Sequence, residues 1–366
     1  MAKQDKTQGQ VIWKRLKKNF PAMAGLFIII CCFLVAIFAY LLAPDDSPNA
    51  NLQTVEIQAS KPGYAQQFLL IPARQQSYNA FSAAFTGKPQ QYSWLPISGW
   101  SKYGTDSFSV QKFIDEDTSI VQRYSINALT SNHPENLSRK ITTRKFWLGT
   151  DAFGRDILSR LIIGTRVSLA VGLIAVLISL TLGILLGALA GYYRGRTDAI
   201  IMWLVNVTWS IPTLLLVFAF TLALGKGFWQ IFIAVGLTMW VNVARLVRGQ
   251  VLALKEMEYV QAGRALGFRD RRIIFRHILP NMLGPLMVIA AANFATAIII
   301  EAGLSFLGIG VQPPQPSWGL MIKENYNFII TNNPMLAIIP GIAIMLLVLA
   351  FNLLGNGLRD ALDVKA

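Results

Sequence analysis

The run RVSLAVGLIAVLISLTLGILLGALAGYYR, residues 166–194, decides the class of this protein, because 27 uncharged residues separate Arg166 from Arg194. A membrane-spanning helix needs about 20 predominantly apolar residues. The run is long enough to cross a bilayer, and we predict a transmembrane helix here. Within it, Gly183, Gly187 and Gly191 recur at a fixed helical spacing, which predicts a closely packed helix face.

Five more stretches of the chain are free of charged residues and long enough to span a membrane. They are residues 19–44, 199–225, 227–244, 277–300 and 325–358. We therefore predict six transmembrane helices. The uncharged stretch 302–322 contains Pro313, Pro314 and Pro316. Because proline removes backbone donors that lipid cannot replace, we predict an external loop there, with a short re-entrant or interfacial part.

The composition of the whole chain agrees with a membrane protein and excludes a soluble enzyme. Hydrophobic residues make up 54% of the 366 residues and charged residues 14%, against about 25% charged residues in soluble proteins. Cys31 and Cys32 are adjacent in an apolar run, and the two histidines are His133 and His277. The sequence therefore predicts neither a disulfide framework nor a histidine-based metal centre.

The basic residues indicate how the chain is oriented. Lysine and arginine number 33 against 19 aspartate and glutamate, and the short loops predicted to be cytoplasmic are rich in them, as the positive-inside rule requires. We interpret the excess as an orientation signal, not as a nucleic-acid-binding surface. The basic segment 1–18 is expected in the cytoplasm. The apolar run that follows exceeds the signal-peptide core of about 7–15 residues, so 19–44 is predicted as an uncleaved first span. Six spans return the C-terminus to the cytoplasm.

Residues 45–145 differ from the rest of the chain, because they contain charges, prolines and many aromatic residues. Thr54–Gln58, Gln67–Ile71 and Ser107–Phe113 have the composition of short strands separated by turn residues. We predict a small β-rich or mixed domain in the periplasm. The alternative is a partly ordered linker that packs on the outer mouth of the membrane domain.

The stretch EYVQAGRALGFRDRRIIFRHILPN, residues 258–281, lies between the fourth and fifth predicted spans. Its pattern predicts a short helix, a break at Gly267 and a second, basic amphipathic helix that ends near Pro280. A short helix with small residues can enter a groove on a partner protein. Composition alone equally fits an ordinary basic loop that lies on lipid headgroups.

The order of residues in this stretch resembles the EAA loop of ABC-importer permeases. Gln261-Ala262-Gly263 stands where that family has Glu-Ala-Ala, Gly267 follows at the family's offset, and Leu279-Pro280 closes the pattern. The stretch departs from the family in Gln261, which replaces the acid, in Gly263, which replaces the second alanine, and in His277, which replaces an isoleucine.

Further segments resemble dipeptide and oligopeptide permeases of the C type. These segments are FWLGTDAFGRD (146–156), GYY (191–193), SIP (210–212), RLVRGQ (245–250), EAGLSFLG (301–308), QPPQPSWG (312–319) and FNLLGNGLRD (351–360). The resemblance covers residues 146–363 and the first span. Most members of the family have a far shorter link than 45–145, although the microcin C/oligopeptide branch is similar in having an insertion here.

The resemblance implies an all-α polytopic membrane protein with six transmembrane helices, like a type I ABC-importer permease, carrying a small β-rich or mixed periplasmic insertion. Residues 146–363 would form the permease core of a subunit in the bacterial inner membrane. The expected partners are a second permease subunit in a heterodimer, two ATP-binding subunits, an external substrate-binding protein and membrane lipid.

The chain itself is expected to be non-catalytic, because no G-x-x-x-x-G-K-[ST] phosphate-binding motif occurs in it. ATP and magnesium are expected in the partner subunits, and no cofactor on this chain. The resemblance implies that the loop 250–282 couples the chain to an ATP-binding subunit. The candidate coupling residues are Glu258, Tyr259, Gln261, Ala262, Gly263, Gly267, Arg276, His277, Leu279 and Pro280.

Polar residues inside the predicted spans are candidates for the wall of a translocation path. They are Asn206, Thr208, Ser210, Asn293, Thr296 and Glu301. Hydrogen bonding between helices explains the serine, threonine and asparagine residues equally well. For Glu301, we favour a structural pair with a basic residue over contact with the amine of a peptide.

The sequence leaves the cargo open among dipeptides, longer peptides, nickel chelates and opines. Two other functions have less support. A stand-alone transporter needs coupling charges inside its spans, and the predicted spans contain almost none. A membrane sensor would need a cytoplasmic signalling domain, and the sequence predicts none.

Overall fold

The computed structural model describes residues 8–73, 77–103, 107–115, 117–126, 129, 140–225, 227–330 and 333–362. His133 lies outside the described residues. Two compact units are distinguished. The first contains the described residues of Met1–Leu34, Ser168–Gln312 and Ile342–Ala366, and the second contains Val35–Val167 and Pro313–Gly341.

The chain is mainly helical, with one antiparallel sheet. The helices are α1 (Gln8–Leu16), α2 (Phe20–Ile37), α3 (Ala39–Leu42), α4 (Ala80–Thr86), α5 (Ile157–Tyr193), α6 (Gly195–Trp209), α7 (Thr213–Leu224), α8 (Phe228–Lys255), α9 (Glu258–Ala265), α10 (Asp270–Phe306), α11 (Trp318–Asn325) and α12 (Met335–Leu362). The strands are β1 (Tyr64–Pro72), β2 (Tyr92–Tyr103), β3 (Ser107–Phe113), β4 (Ser119–Ser125) and β5 (Ile141–Phe146).

Five helices of the described chain are long and apolar enough to cross a membrane, namely α2, α5, α8, α10 and α12. The third predicted span is not one straight helix: α6 and α7 form a pair bent by 94°. The break falls at Ser210–Pro212, because a proline ring clashes with the preceding helical turn and has no N–H to donate. If the bent pair counts as one span, the total is six.

The helix after Gly267 does not end near Pro280, as the sequence pattern suggested, but continues to Phe306. The hydrogen bonding changes locally to accommodate the proline. Ile273–Ile278 form a wider π turn, and Leu279–Met282 form a tighter 3-10 turn. The Leu279 amide donates to the Ile274 carbonyl, so the chain keeps its helical course where Pro280 has no N–H.

Helices α5 and α8 approach each other at the predicted glycine repeat. A Cβ added to Gly183 would lie 2.4 Å from Val243 Cβ, and one added to Gly187 would lie 2.5 Å from the carbonyl oxygen of Ala244. One turn further, a Cβ on Gly191 would lie 2.8 Å from the carbonyl oxygen of Arg248. Any larger residue would separate the two helices, which accounts for the repeat.

The insertion contains a five-stranded antiparallel sheet in the order β4-β3-β2-β1-β5. Both faces of β1 are buried. Leu69 belongs to one apolar cluster with Ile97 and Phe108, and Phe68 belongs to another with Ile57 and Phe146. The sheet confirms the β-rich character predicted for this part of the chain.

The prediction of a strand at Thr54–Gln58 is wrong. Val55–Ile57 form a single 3-10 turn, which places Ile57 in the cluster around Phe68 and Phe146. The Thr54 amide donates to the Phe153 carbonyl instead of to a neighbouring strand of the sheet. The alternation of polar and apolar residues in this stretch therefore buries one apolar side chain, Ile57, without forming a strand.

A buried ionic network joins the start of α5 to α11. Arg155 Nη2 lies 2.6 Å and Arg160 Nη2 lies 3.1 Å from Glu324 Oε2. Arg155 Nε also lies 2.6 Å from Asp151 Oδ2. Both arginine side chains are almost fully buried, so Glu324 and Asp151 compensate charges that water does not reach.

Candidate coupling site

Helix α9 is a separate two-turn helix between α8 and α10. The acidic residue Glu258 stands in its first turn, where a negative charge complements the helix dipole. Its end is a Schellman motif. The amide of Phe268 donates to the carbonyl of Gly263 at 3.0 Å, and the amide of Gly267 donates to the carbonyl of Arg264 at 2.9 Å. Gly267 has φ +77°, which a glycine adopts without steric cost.

The inner face of α9 is anchored on the membrane helices. Val260 is 1% exposed and belongs to a buried cluster that takes residues from α5, α8 and α10, including Tyr192, Val247, Ile273 and Ile278. Full burial of an aliphatic side chain contributes about 1.5–3 kcal/mol. The short helix is therefore held by tertiary packing, since eight residues are too few for a stable isolated helix.

A small residue is present where α9 meets the next turn of chain. A Cβ added to Gly263 would lie 3.4 Å from Phe268 Cδ2, which is close contact without a clash. The Phe268 ring stacks on the His277 ring with centroids 5.8 Å apart, and the Arg272 guanidinium carbon lies 4.1 Å from its centroid. Phe268 thus fills the angle between α9 and α10.

Tyr192, near the end of α5, is the polar centre of the site. Its hydroxyl donates to Asp270 Oδ1 at 2.6 Å, and its carbonyl accepts from Lys255 Nζ at 2.6 Å. The Arg264 guanidinium carbon lies 5.0 Å from the centroid of its ring. One residue therefore connects α5, α8, α9 and α10.

The side of α9 that faces away from the membrane helices is exposed and mixed in character. Glu258, Tyr259, Gln261 and Ala262 are exposed on it. Two large apolar side chains are exposed beside α9: Leu266, which directly follows its last residue, is 73% exposed, and Phe275 on α10 is 57% exposed. Exposed large apolar side chains of this kind are candidates for contact with a partner.

The structure brings the predicted coupling residues together around α9 and the first turns of α10. Gly263 is buried, and His277 and Leu279 are half-buried. The others are exposed: Glu258, Tyr259, Gln261, Ala262, Gly267, Arg276 and Pro280. Asn281 Nδ2 donates to the His277 carbonyl at 2.7 Å and to the Tyr259 hydroxyl at 3.3 Å.

Four residues of this site are not among the candidates named from the sequence. Phe268, Asp270 and Asn281 lie in the predicted coupling loop 250–282, whereas Tyr192 lies outside it, in the GYY segment that resembles the permease family. Nothing in the sequence shows that Tyr192 and Asp270 meet, because 78 positions separate them.

The polar residues predicted inside the spans divide into two groups. Thr208, Asn293 and Thr296 line one cavity of about 80 Å³. The side chain of Asn293 also donates to Ser179 Oγ at 3.4 Å. Lining a cavity and hydrogen bonding between helices are therefore compatible explanations for this residue.

The remaining three do not line that cavity. Asn206 accepts a hydrogen bond from Arg245, and Ser210 Oγ donates to the carbonyl of Val207 within its own helix. Glu301 is fully buried within α10 and accepts from Ser305 Oγ at 2.7 Å.

Comparison with known families identifies the family of the chain. Residues 183–366 match the model of the family described as binding-protein-dependent transport system inner membrane component. The chain belongs to this family. Residues 7–58 of the permease match a second model, the N-terminal transmembrane domain of oligopeptide transport permease C. It is a multi-pass inner-membrane protein and a transmembrane permease subunit of an ABC importer.

Two curated relatives and one solved structure are similar to this permease. The glutathione transport system permease protein GsiD of Pectobacterium atrosepticum is 47% identical over 60% of this chain and 72% of its own. The oligopeptide transport system permease protein OppC of Bacillus subtilis is 42% identical over 62% and 74%. The inward-facing MetNI methionine ABC transporter matches 57% of this chain and 98% of its own with 20% identity and a TM-score of 0.47.

Proposed function

We propose that this permease pairs with a second permease subunit and imports peptides or related small solutes, driven by two separate ATP-binding subunits. The observation that carries the proposal is α9, whose inner face is packed on three membrane helices while its other side is exposed, with the large apolar side chain of Leu266 exposed at its C-terminal end. A short helix anchored on one side and open on the other is suited to transmit movement from a partner.

In this proposal α9 lies in a cleft of one ATP-binding subunit. When ATP brings the ATP-binding subunits together, the cleft moves α9, and Val260 and Tyr192 pass the displacement to α5, α8 and α10. ATP and magnesium belong to those partners, and this chain contributes no catalytic group. The element has two states, which nucleotide influences at one end and cargo at the other.

The orientation of the chain follows from the same proposal. Residues 1–18 and the loop 250–282 face the cytoplasm, where ATP is available, and the C-terminus lies on the same side. The insertion 45–145 is then periplasmic, on the side from which an external substrate-binding protein delivers cargo. Basic residues concentrated in 1–18 and around α9 support this orientation.

Peptide cargo is supported by the relatives, which are named as glutathione and oligopeptide permeases. The cavity lined by Thr208, Asn293 and Thr296 adds to this. Its side chains offer hydroxyl and amide groups without a fixed charge, and such groups suit a cargo whose side chains vary. We propose that these residues line the translocation path.

The test is copurification of the ATP-binding subunits with the tagged permease pair. Leu266→Glu places a charge at the exposed C-terminal end of α9 and is expected to reduce the copurified ATPase at least about tenfold, since burying an unpaired carboxylate is costly. The matched control is Val121→Glu, since Val121 is an exposed apolar residue on β4 with an exposed fraction of 63% against 73% for Leu266, and the change should leave the yield unchanged. Equal yields from wild type and L266E, with the permease pair intact, would refute the proposal.

A further inference from the structure

Three polar side chains follow one another along a single face of α8. Thr238, Asn242 and Arg245 are spaced by four and three residues, which places them on the same side of a helix. Thr238 and Asn242 line the cavity that also contains Thr208, Asn293 and Thr296. The line of polar groups leads from this cavity to Arg245.

Arg245 is held against the bend between α6 and α7. Its guanidinium carbon lies 3.5 Å from the centroid of the Trp209 ring, and its Nη2 donates to Asn206 Oδ1 at 2.8 Å. Trp209 also lines the cavity. The Arg245 Nε is buried and makes no hydrogen bond to any described residue.

Arg248, one turn further along α8, is paired with a carboxylate and serves as the comparison for Arg245. Its Nε donates to Asp198 Oδ1 at 2.5 Å and its Nη2 donates to Asp198 Oδ2 at 2.6 Å. The charge of Arg248 is therefore compensated by a bidentate contact with a carboxylate. Arg245 has only a neutral amide and an aromatic face, and in the described part of the chain no carboxylate lies within ion-pair distance of it. Arg245 directly follows the uncharged stretch 227–244 in α8, and a charge at the end of a span with no opposite charge beside it is a candidate for contact with the transported solute.

We propose that Arg245 binds the carboxylate terminus of the cargo as a peptide passes along α8. This inference rests on the proposed function, because it takes peptides as the cargo. Peptides with different side chains share a C-terminal carboxylate, and the planar guanidinium matches carboxylate geometry. Trp209 is 61% exposed, so its indole has room to tilt and uncover Nε. Asn206 competes for the guanidinium, which keeps the contact weak enough for release.

The first experiment compares uptake of one tripeptide as free acid and as C-terminal amide. It uses proteoliposomes that contain the permease pair, the ATP-binding subunits and the binding protein. Each rate is divided by the wild-type rate for the same peptide, so that any preference of the binding protein cancels. R245Q is expected to lower uptake of the acid about tenfold, the size of one charge-assisted hydrogen bond, and to change uptake of the amide less than about twofold.

The matched control is R248Q, which removes a structural ion pair on the same helix and should affect acid and amide alike. R245K, which keeps the charge without the planar fork, should restore part of the acid uptake. If R245Q lowers the uptake of both peptides by the same factor, or lowers the uptake of neither, Arg245 does not bind the carboxylate of the cargo. If the wild-type complex imports no peptide at all, the proposed function itself fails.

A second measurement does not depend on the binding protein. Cysteine at Asn242, with Cys31 and Cys32 replaced by serine, is labelled in the complex with an anionic and a cationic methanethiosulfonate reagent. The ratio of anionic to cationic labelling rates is expected to fall about tenfold on adding R245Q and to stay unchanged on adding R248Q. An unchanged ratio with R245Q, or a cysteine at 242 that neither reagent reaches, would overturn the inference.

Discussion

The hydroxyl of Tyr192 donates a 2.6 Å hydrogen bond to Asp270 Oδ1, although the two residues are 78 positions apart in the chain. The bond connects the end of α5 to the first residue of α10, and the Arg264 guanidinium of α9 lies 5.0 Å from the same tyrosine ring. Because the backbone carbonyl of Tyr192 also accepts from Lys255 at the end of α8, three membrane helices meet at one residue. This junction is where a displacement of α9 would enter the membrane domain.

Tyr192→Phe removes the hydrogen bond and keeps the ring in the buried cluster. A hydrogen bond to a charged group contributes about 1.5–3 kcal/mol, so the junction should loosen without loss of assembly. We expect ATPase activity to persist while the number of peptides imported per ATP falls several-fold, measured in proteoliposomes.

The matched control for this change is Tyr193→Phe, since Tyr193 is the adjacent tyrosine and is half exposed. Its uptake per ATP should equal that of wild type. If Y192F and Y193F behave alike, the bond to Asp270 has no part in coupling.

The effect of a substitution at Gly267 should depend on the backbone conformation and not on the space around the residue. A Cβ at this position meets nothing within 4 Å, but φ is +77°. Asparagine tolerates this region better than alanine, and alanine costs about 1–2 kcal/mol. Proline cannot adopt this φ, and it removes the amide that donates to Arg264. ATP-dependent uptake should therefore fall in the order Gly, Asn, Ala, Pro, with the permease pair still assembled.

Gly249→Ala is the control for the alanine variant, because Gly249 lies inside α8 with open space around it and no positive φ. It should not lower uptake. Wild-type uptake by G267P in an assembled complex would contradict the role given to this turn.

Gly263→Ala should stabilise α9. The added methyl group lies 3.4 Å from Phe268 Cδ2, and alanine is favoured over glycine inside a helix by about 1 kcal/mol. Hydrogen exchange of the amides of residues 260–265 should slow about fivefold, which is the same free energy expressed as a rate. Faster exchange would mean that Phe268 cannot accommodate the methyl group.

Glu324→Gln should destabilise the second unit, because it leaves Arg155 and Arg160 with less compensating charge in a buried site. Breaking a buried pair costs about 3–5 kcal/mol. The matched surface change is Asp46→Asn, which removes the exposed ion pair with Lys88 at 2.6 Å and costs about 0–1 kcal/mol. Thermal unfolding in detergent should show a lower Tm for E324Q than for D46N, and equal values would contradict the importance of the buried network.

Much of this fold is predictable because its strongest signal is the hydropathy of consecutive residues along the chain. Apolar runs long enough to span a bilayer identify the spans, and the glycine repeat of α5 predicts its close packing on α8. The bend at Ser210–Pro212 was not predicted, although Pro212 was visible. Hydropathy measures only how apolar a run is, and a proline in an apolar run is compatible with either a kink or a full break.

The site was only partly predictable for a related reason. The residues of α9 and the turn at Gly267 follow from local pattern and from the family motif. Tyr192 and Asp270 act through a contact between segments that are 78 positions apart, and no local pattern predicts that they meet. In the insertion, Gln67–Ile71 and Ser107–Phe113 were predicted as strands and lie within β1 and β3. β2 contains Pro96 and Gly99, which conceal its strand pattern.

The central claim is that α9 contacts an ATP-binding subunit, and site-directed cross-linking tests it most directly. Cysteine replaces the exposed Gln261 in a background where Cys31 and Cys32 are serine, and a short photoactivatable reagent is attached to it in the assembled importer. We predict an adduct with the ATP-binding subunit whose yield changes when ATP is added, and no such adduct from a cysteine at Val121. Absence of any adduct from position 261, or labelling of that cysteine from the periplasmic side by an impermeant reagent, would contradict the account.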